Sequence, residues 1–205
     1  MKKITLFLTV ICIAFSACNK KQPLTIQGTV NPSKDFTGEM LYVISMDAVN
    51  NAVVDSVAIK DKTFSLSILP SDSFNIVRIT PRNGLLTYFM QPLLVVIELG
   101  TLSADLNLSS SSHGAPLNDK LQQWKEKKEA DNQTFITLHK KLGESKEEAE
   151  KEMIKQEIET QKTLSGEYNY LFVTENKGNA LGKFFYKMLK ESFTPEQVAA
   201  LKMEE

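Results

Sequence analysis

The chain has 205 residues, of which 42% are apolar and 24% are charged, with 9 Gly, 7 Pro and 2 Cys. This composition excludes a wholly disordered chain, a collagen-like repeat and a disulfide-dense scaffold, and it is typical of a globular protein. Lys and Arg number 24 against 25 Asp and Glu, so the charge balance gives no indication of a nucleic-acid partner.

Residues 1–17 have the pattern of a secretory signal peptide. Two lysines precede an apolar run over residues 4–15, and small residues follow at the expected point of cleavage. A run of about 12 residues is too short to cross a bilayer, which needs roughly 20. We therefore expect residues 1–17 to be removed, which leaves 22 basic and 25 acidic side chains and a net charge of about −3.

The run Phe15-Ser16-Ala17-Cys18 resembles the bacterial lipobox, in which the Cys thiol receives a diacylglycerol before cleavage. Phe15 departs from the aliphatic residue that is usual at its position. The sequence thus predicts lipidation of Cys18, whose acyl chains would anchor the protein in a membrane. An ordinary signal peptide cut near Ala17 is the alternative.

The residues after Cys18 bear on the destination of the protein. Asn19 stands where some enteric bacteria use Asp as an inner-membrane retention signal, so the outer membrane is favoured. The segment is basic rather than acidic, which favours a protein that faces the periplasm, with residues 18–23 as a lipidated tether. Because Cys12 would leave with the signal peptide and Cys18 would carry lipid, we expect no disulfide, Cys-x-x-Cys pair or cysteine nucleophile.

Apolar and β-branched residues alternate with polar ones from residue 24 to about residue 108, a pattern typical of strands. The predicted strands cover residues 24–30, 39–46, 52–59, 63–69, 74–80, 85–98 with an interruption at Pro92, and 101–108. Asn50-Asn51 and Asp61-Lys62 are predicted turns. Residues 24–112 should form an antiparallel β-sandwich or open barrel that ends in a linker at residues 109–112.

Residues 113–205 are predicted to be a helical region, which makes the fold α+β. Pro116 suits the first turn of a helix that ends at Gly143. Its apolar face, interrupted at Lys128 and Asp131, consists of Leu117, Leu121, Trp124, Phe135, Leu138 and Leu142. We expect the aromatic members of this face to pack against the sheet or a neighbouring helix rather than to form a ligand cage.

Ser145 and Glu148 predict a capping box for a second helix. Its apolar side consists of Met153, Ile154, Ile158, Leu164, Tyr168, Leu171 and Phe172. The two helices would form a long helical hairpin. Since Lys128 and Asp131 lie midway along its seam, we expect the hairpin to project from the domain or to pair with a partner that matches these charges.

A turn at residues 176–178 and a third helix over residues 180–189 follow. Thr194-Pro195-Glu196-Gln197 predicts the capping box of a fourth helix that ends near Met203.

The stretches 24–30 (LTIQGTV), 54–66 (VDSVAIKDKTFSL), 95–102 (VVIELGTL) and 114–121 (GAPLNDKL) occur in this order along the chain. Together they resemble the N-terminal domain of unknown function that precedes the thioredoxin-like domain in lipoprotein thiol-disulfide oxidoreductases of Gram-negative gut and oral bacteria. Residues 174–176 and 194–197 are similar to the helical segment that follows it there. Active members carry a Cys-x-x-Cys pair in the C-terminal domain, so the resemblance implies no catalytic residues in this chain.

Few residues of the mature chain indicate a catalytic or metal-binding role. His113 and His139 are far apart in sequence and are expected to be solvated rather than metal ligands or general bases. The acidic residues of 147–152 alternate with lysines, which is typical of an exposed helix face with i,i+4 ion pairs. Asp55-Ser56-Val57 resembles an O-glycosylation acceptor, although an ordinary strand explains it better. No catalytic residue, cofactor site or metal site is predicted.

Arg78 and Arg82 are the only arginines, and Pro81 lies between them. They would form a small anion site at the end of a strand, or else they are surface residues, which is the reading that we favour from sequence alone.

The sequence predicts a non-catalytic outer-membrane lipoprotein that faces the periplasm, an accessory or protein-interaction module related to thiol-disulfide exchange systems. Its partners would be the membrane, through the lipid on Cys18, and a protein or a second copy, through the helical region. One alternative is the N-terminal portion of a thioredoxin-like oxidoreductase whose catalytic domain is missing here. Another is a lipoprotein that binds a small ligand on its β-domain.

Overall fold

The computed structural model of the chain describes residues 22–31, 33–46, 52–82, 86 and 88–203. Within these residues the fold is α+β, with two four-stranded sheets followed by four α-helices. The predicted fold class and the order of strands before helices are confirmed. The predicted turn at Asn50-Asn51 lies outside the described residues.

The strands are β1 (Leu24–Val30), β2 (Met40–Ser45), β3 (Val53–Ala58), β4 (Thr63–Ile68), β5 (Ile76–Pro81), β6 (Leu93–Val96), β7 (Gly100–Leu106) and β8 (Ser111–His113). Sheet A has the order β4-β1-β7-β8 and sheet B the order β3-β2-β5-β6. All neighbouring strands are antiparallel except β1 and β7, which are parallel. The expectation of an entirely antiparallel β-region is therefore wrong at this pair. The chain passes through sheet B between β1 and β7, and such a long connection is what parallel neighbours require.

The main hydrophobic cluster takes side chains from both sheets. Alternate residues of each strand point into it, as period two dictates. Sheet A contributes Leu24, Ile26, Val30, Phe64, Leu66, Ile68, Leu102, Ala104 and Leu106, and sheet B contributes Leu41, Val43, Val77, Ile79, Leu93 and Val95. The two sheets thus share one core.

The turn between β3 and β4 has the predicted position. Asp61 and Lys62 have φ values of 48° and 60°, and Lys60 and Thr63 exchange backbone hydrogen bonds of 2.8 and 2.9 Å on either side. Positive φ at both central residues is the conformation that matches the twist of a two-residue hairpin. It directs the chain from sheet B back to sheet A.

Two predicted segments differ from the structure. Of the predicted strand 85–98, only Leu93–Val96 is a strand, and the residues described before Pro92 form turns, in which the Phe89 and Met90 amides donate to the Leu86 carbonyl at 3.0 and 3.1 Å. The predicted linker at residues 109–112 is also wrong, because Ser111–His113 form β8 and pair with β7. The predicted interruption at Pro92 is where β6 begins, at Leu93.

The helices are α1 (Pro116–Glu144), α2 (Glu148–Asn176), α3 (Ala180–Leu189) and α4 (Pro195–Leu201). The capping box predicted for the second helix is wrong: Glu147 is the N-cap residue of α2 and makes no side-chain cap, while Ser145 ends α1 and donates to the Lys141 carbonyl at 2.9 Å. The capping box of α4 between Thr194 and Gln197 is confirmed.

A pair of polar side chains joins α1 to sheet B. Asn118 is fully buried; its Oδ1 accepts the Val96 amide at 2.9 Å, and its Nδ2 donates to the Val96 carbonyl at 2.9 Å. Since β6 is an edge strand, this side chain serves as the missing neighbour for one of its residues. The Glu98 carboxylate in turn accepts the amides of Leu117 and Asn118 at 2.9 Å and so caps the N-terminus of α1.

A second hydrophobic cluster joins the helices to the other face of sheet B. Trp124 of α1 lies 4.4 Å from the Phe185 ring of α3, centroid to centroid, and its Nε1 donates to Asn169 at 3.2 Å. Ile76 of β5 and Val96 of β6 belong to the same cluster. Trp124 therefore packs against neighbouring helices, as predicted, instead of lining a ligand cage.

Candidate functional site

Cys18, the predicted lipidation site, lies outside the described residues, as does the rest of the signal peptide. β1 begins at Leu24, six residues later. At about 3.3 to 3.6 Å for each extended residue, this segment reaches at most about 20 Å.

The two histidines are not brought together. His113 lies in β8 and His139 lies 23 residues into α1, about 35 Å along the helix axis. Both side chains are exposed. Among the described residues, no group of three His, Cys, Asp or Glu side chains is arranged to hold a metal ion.

The acidic residues near the start of α2 are exposed and alternate with lysines, as predicted. Lys151 pairs with Glu148 at 2.7 Å and Lys162 with Glu159 at 2.6 Å. These pairs have i,i+3 spacing rather than the expected i,i+4. Exposed pairs of this kind contribute only about 0.3–0.5 kcal/mol each, so the face is a solvated surface.

The O-glycosylation reading of Asp55-Ser56-Val57 competes with a plain strand, and the segment does form part of β3. Ser56 is exposed on this edge strand, and its amide donates to the Asp55 carboxylate at 2.7 Å.

The two arginines line one pocket on sheet B, which we call the arginine pocket. It has a volume of about 540 Å³ and is lined by Tyr42, Ile44, Val53, Arg78, Thr80, Pro81, Arg82 and Pro92. Strand register explains the grouping, because Tyr42 lies opposite Thr80 and Ile44 lies opposite Arg78. The sequence indicated both arginines but could not show that β2 supplies the aromatic and apolar walls.

The guanidinium groups of the arginine pocket have no acidic partner in the part of the chain that the structure describes. Among the residues that the structure describes, no carboxylate lies within 4.0 Å of Arg78 or Arg82. The Nε of Arg78 is buried and makes no hydrogen bond within that part of the chain. Burying a donor without a partner costs about 1–3 kcal/mol, more when it is charged.

Midway along α1 and α2 lies a polar layer formed by Lys127, Lys128, Asp131, Gln161 and Ser165. Asp131 is buried; it pairs with Lys127, lies 3.7 Å from the Lys128 Nζ and accepts from Gln161 at 2.9 Å. Lys128 also donates to Ser165. The charges that were expected to meet a partner are thus paired within α1, and neutral polar side chains of α2 hydrogen-bond to them.

Asp131 remains a carboxylate at neutral pH. Burial opposes its ionisation, but hydrogen bonds to Lys127 and Ser165 and the charges of Lys127 and Lys128 outweigh burial and hold the pKa of Asp131 below its usual value. Because the pKa is lower in the folded state, this layer stabilises the protein at neutral pH, and the contribution is lost as the pH falls through that pKa.

Beyond the polar layer, α1 and α2 contact each other through a separate apolar group, the distal cluster. It consists of Leu138, Ile154 and Ile158, with Phe135 and Leu142 at its margin. The distal cluster contains no residue of either sheet.

Three large apolar side chains of α2, which we call the α2 stripe, are left in solvent: Met153, Leu164 and Leu171 are 62%, 52% and 55% exposed. Their spacings of eleven and seven residues are close to three and two helical turns, so they share one side of the helix. At 1.5 Å per residue, Met153 and Leu164 lie about 16.5 Å apart along the axis and Leu164 and Leu171 about 10.5 Å apart, so the stripe offers separate apolar contacts on one side of the helix.

None of the helices described is long and apolar enough to cross a membrane. Comparison of the chain with models of protein families, with curated proteins and with solved structures found no match.

Proposed function

We propose that this chain is a non-catalytic, periplasm-facing lipoprotein of a bacterial outer membrane, held by lipid on Cys18, that acts as an accessory or protein-interaction module of a thiol-disulfide oxidoreductase system. The lipobox-like run before Cys18 and the resemblance of four stretches to the domain ahead of lipoprotein thioredoxin-like domains support the address and the system. The α2 stripe carries the interaction role, because it exposes three large apolar side chains on one side of a long helix.

The same proposal includes the finer architecture. The two sheets would form a β-sandwich, since side chains of both lie in one cluster. α1 and α2 would form a helical hairpin that projects from it, since the distal cluster contains only residues of these two helices. A hairpin that extends beyond the β-domain presents its sides to a partner without disturbing the core.

Replacement of Cys18 by Ala tests the anchor. We expect the unchanged protein in the membrane fraction at the size of the cleaved chain. The Cys18→Ala variant should keep residues 1–17 and run larger, because cleavage follows addition of the diacylglycerol to the thiol. An antibody to residues 24–205 detects both forms. Cys12→Ala, which changes the other cysteine within the predicted signal peptide, is the matched control and should fractionate like the unchanged protein. Cleavage of Cys18→Ala to the same size as the unchanged protein would contradict lipidation of Cys18.

The size of the band in the same blot decides between the proposal and the first alternative. A band slightly below the 23.0 kDa of the uncleaved chain supports a separate module. A markedly larger band would show that a catalytic domain follows in the cell, which favours the thioredoxin-like oxidoreductase.

The interaction role is tested by photo-crosslinking in cells. A photoreactive amino acid at Met153 or Leu164 is expected to give a discrete crosslinked band, because both side chains belong to the α2 stripe. The control position is Glu159, which is also exposed on α2 but lies on another side of the helix. Equal crosslinking from all three positions, or none from any, would contradict an interface at the α2 stripe. Leu138 and Ile158 are unsuitable for this test, since they are buried between the helices.

The second alternative, a lipoprotein that binds a small ligand, is favoured by one observation. The arginine pocket holds two guanidinium groups without acidic partners among the described residues.

A further inference from the structure

The arginine pocket lies on the half of sheet B that the helices leave uncovered. Successive residues on this face of β5 are Ile76, Arg78 and Thr80. Ile76 is buried in the cluster formed with the helices, as is Val96 of the neighbouring strand. On the same face of β5, Arg78 and Thr80 line the pocket. One side of the pocket therefore adjoins the hydrophobic cluster that contains Ile76.

We infer that the arginine pocket binds a small organic anion, whose carboxylate or phosphate group is held by Arg78 and Arg82 and whose apolar part contacts Tyr42, Ile44 and Val53. This site is separate from the lipid anchor and from the α2 stripe, so the test of anion binding is independent of both.

The choice of cation supports an anion site. The chain has 24 basic residues, only two of them Arg, and both of these line this one pocket. Guanidinium groups present several donors in a planar fork that matches two oxygens of a carboxylate or phosphate, which an ammonium group does not.

The walls of the pocket support an apolar body on the ligand. The Cζ of Arg82 lies 5.8 Å from the centre of the Tyr42 ring, so the ring and the cation face the same space. Ile44 and Val53 extend this wall across β2 and β3, where they are opposite each other in register. The volume of about 540 Å³ lies within the usual range for small-molecule sites, about 300–1,000 Å³.

A second pocket of about 510 Å³ shows the contrast. It is lined by Ser33, Lys34, Asp35, Thr37, Asp61 and Lys62. Its lysines share the space with two carboxylates and it offers no aromatic wall, so the same reasoning assigns no anion to it.

The probes are benzoate and phenyl phosphate, and benzamide is the uncharged analogue. Each is titrated into the full mature chain, which carries Cys18→Ser so that no lipid is attached. Binding is followed by the NMR chemical shifts of the backbone amides. We expect saturable shifts at Tyr42, Arg78 and Thr80 with either anion at millimolar affinity, about what ligands of this size reach. Benzamide should bind at least about tenfold more weakly. Whichever anion binds more tightly identifies the carboxylate or the phosphate as the preferred group.

Arg78→Met keeps the apolar stem and removes the guanidinium, and we expect it to weaken binding at least about tenfold. Lys34→Met, in the second pocket, is the matched control and should leave the titration unchanged. Arg82→Met, at the exposed end of β5, supplies a second variant if Arg78→Met does not fold. The inference is overturned if neither anion gives saturable shifts up to about 20 mM, if benzamide binds equally well, or if folded Arg78→Met or Arg82→Met binds like the unchanged protein.

Discussion

Replacement of Asn118 by Ala is expected to lower the free energy of unfolding by about 3 kcal/mol, because it leaves two buried backbone groups without partners at about 1–3 kcal/mol each. The Asn118 amide satisfies both the N–H and the carbonyl of Val96 at 2.9 Å, and its Nδ2 also donates to the Glu98 carboxylate at 2.8 Å. Glu98 in turn caps α1. One substitution therefore weakens the edge of sheet B and the start of the helical region together.

Urea denaturation at neutral pH measures the effect, since the midpoint shifts while the slope stays constant when only stability changes. Asn132→Ala is the matched control: Asn132 lies in the same helix, is exposed, and should change stability by less than about 0.5 kcal/mol. Hydrogen exchange of the Val96 amide provides a second readout, because this amide should lose protection before its neighbours do. Equal stability of the two variants would contradict the role assigned to Asn118.

Replacement of Gly182 by Ala is expected to lower the free energy of unfolding by about 2–3 kcal/mol. A Cβ atom at this position would lie 2.1 Å from the Asn176 carbonyl oxygen and 2.6 Å from the Lys177 nitrogen. Both are backbone atoms at the end of α2, so no side chain can turn aside to make room. The close approach lets Asn179 cap α3, accepting the amides of Leu181 and Gly182 at 2.9 and 3.3 Å.

Gly166→Ala in α2 is the control for this substitution, because nothing lies within 4 Å of the added Cβ. Ala is preferred over Gly within a helix by about 0.5–1 kcal/mol, so Gly166→Ala should stabilise the protein while Gly182→Ala destabilises it. Thermal unfolding followed by circular dichroism compares the two. A stabilising effect of Gly182→Ala would show that the junction of α2 and α3 has more space than the structure gives it.

Much of the fold follows from residue periodicity. The alternation in β1, β4 and β7 places their apolar residues in the shared core, and the spacing within residues 180–189 gives α3 as observed. These predictions succeed because burial of one face determines both the pattern and the structure.

The failures have local physical causes. β8 consists of two serines and a histidine and is not apolar; it is held by pairing with β7 and by contact with α1, where the Ser112 amide donates to Gln122 at 3.3 Å. Before Pro92, Met90 is fully buried and Leu86 and Phe89 pack against the core, and burial alone does not distinguish a turn from a strand. Ser145 has the composition of an N-cap, but α1 runs on to Glu144 and uses Ser145 for its own end.

The candidate site was predictable only in part. The sequence showed Arg78 and Arg82 close together, whereas the register of β2 against β5, which adds Tyr42 to the pocket, depends on contacts between distant residues. The interruption at Lys128 and Asp131 was visible as a gap in the apolar stripe. No local pattern specifies how α1 and α2 align. The contacts of Gln161 and Ser165 with Asp131 and Lys128 therefore could not be predicted from the sequence.

The parallel pairing of β1 with β7 bears on how the chain reaches its folded state. β1 is the second strand of sheet A, yet Leu24 lies opposite Gly100, and the whole of sheet B is contained in the interval between them. During N-terminal-first synthesis, β1 emerges early and can pair with β4 after some thirty further residues, but it must wait for about seventy before β7 is present. Pairings so distant in sequence slow folding, so sheet B can assemble first and sheet A closes last. Until then the side of β1 that will meet β7 is an unpaired strand edge, which is the kind of surface through which partly folded chains aggregate.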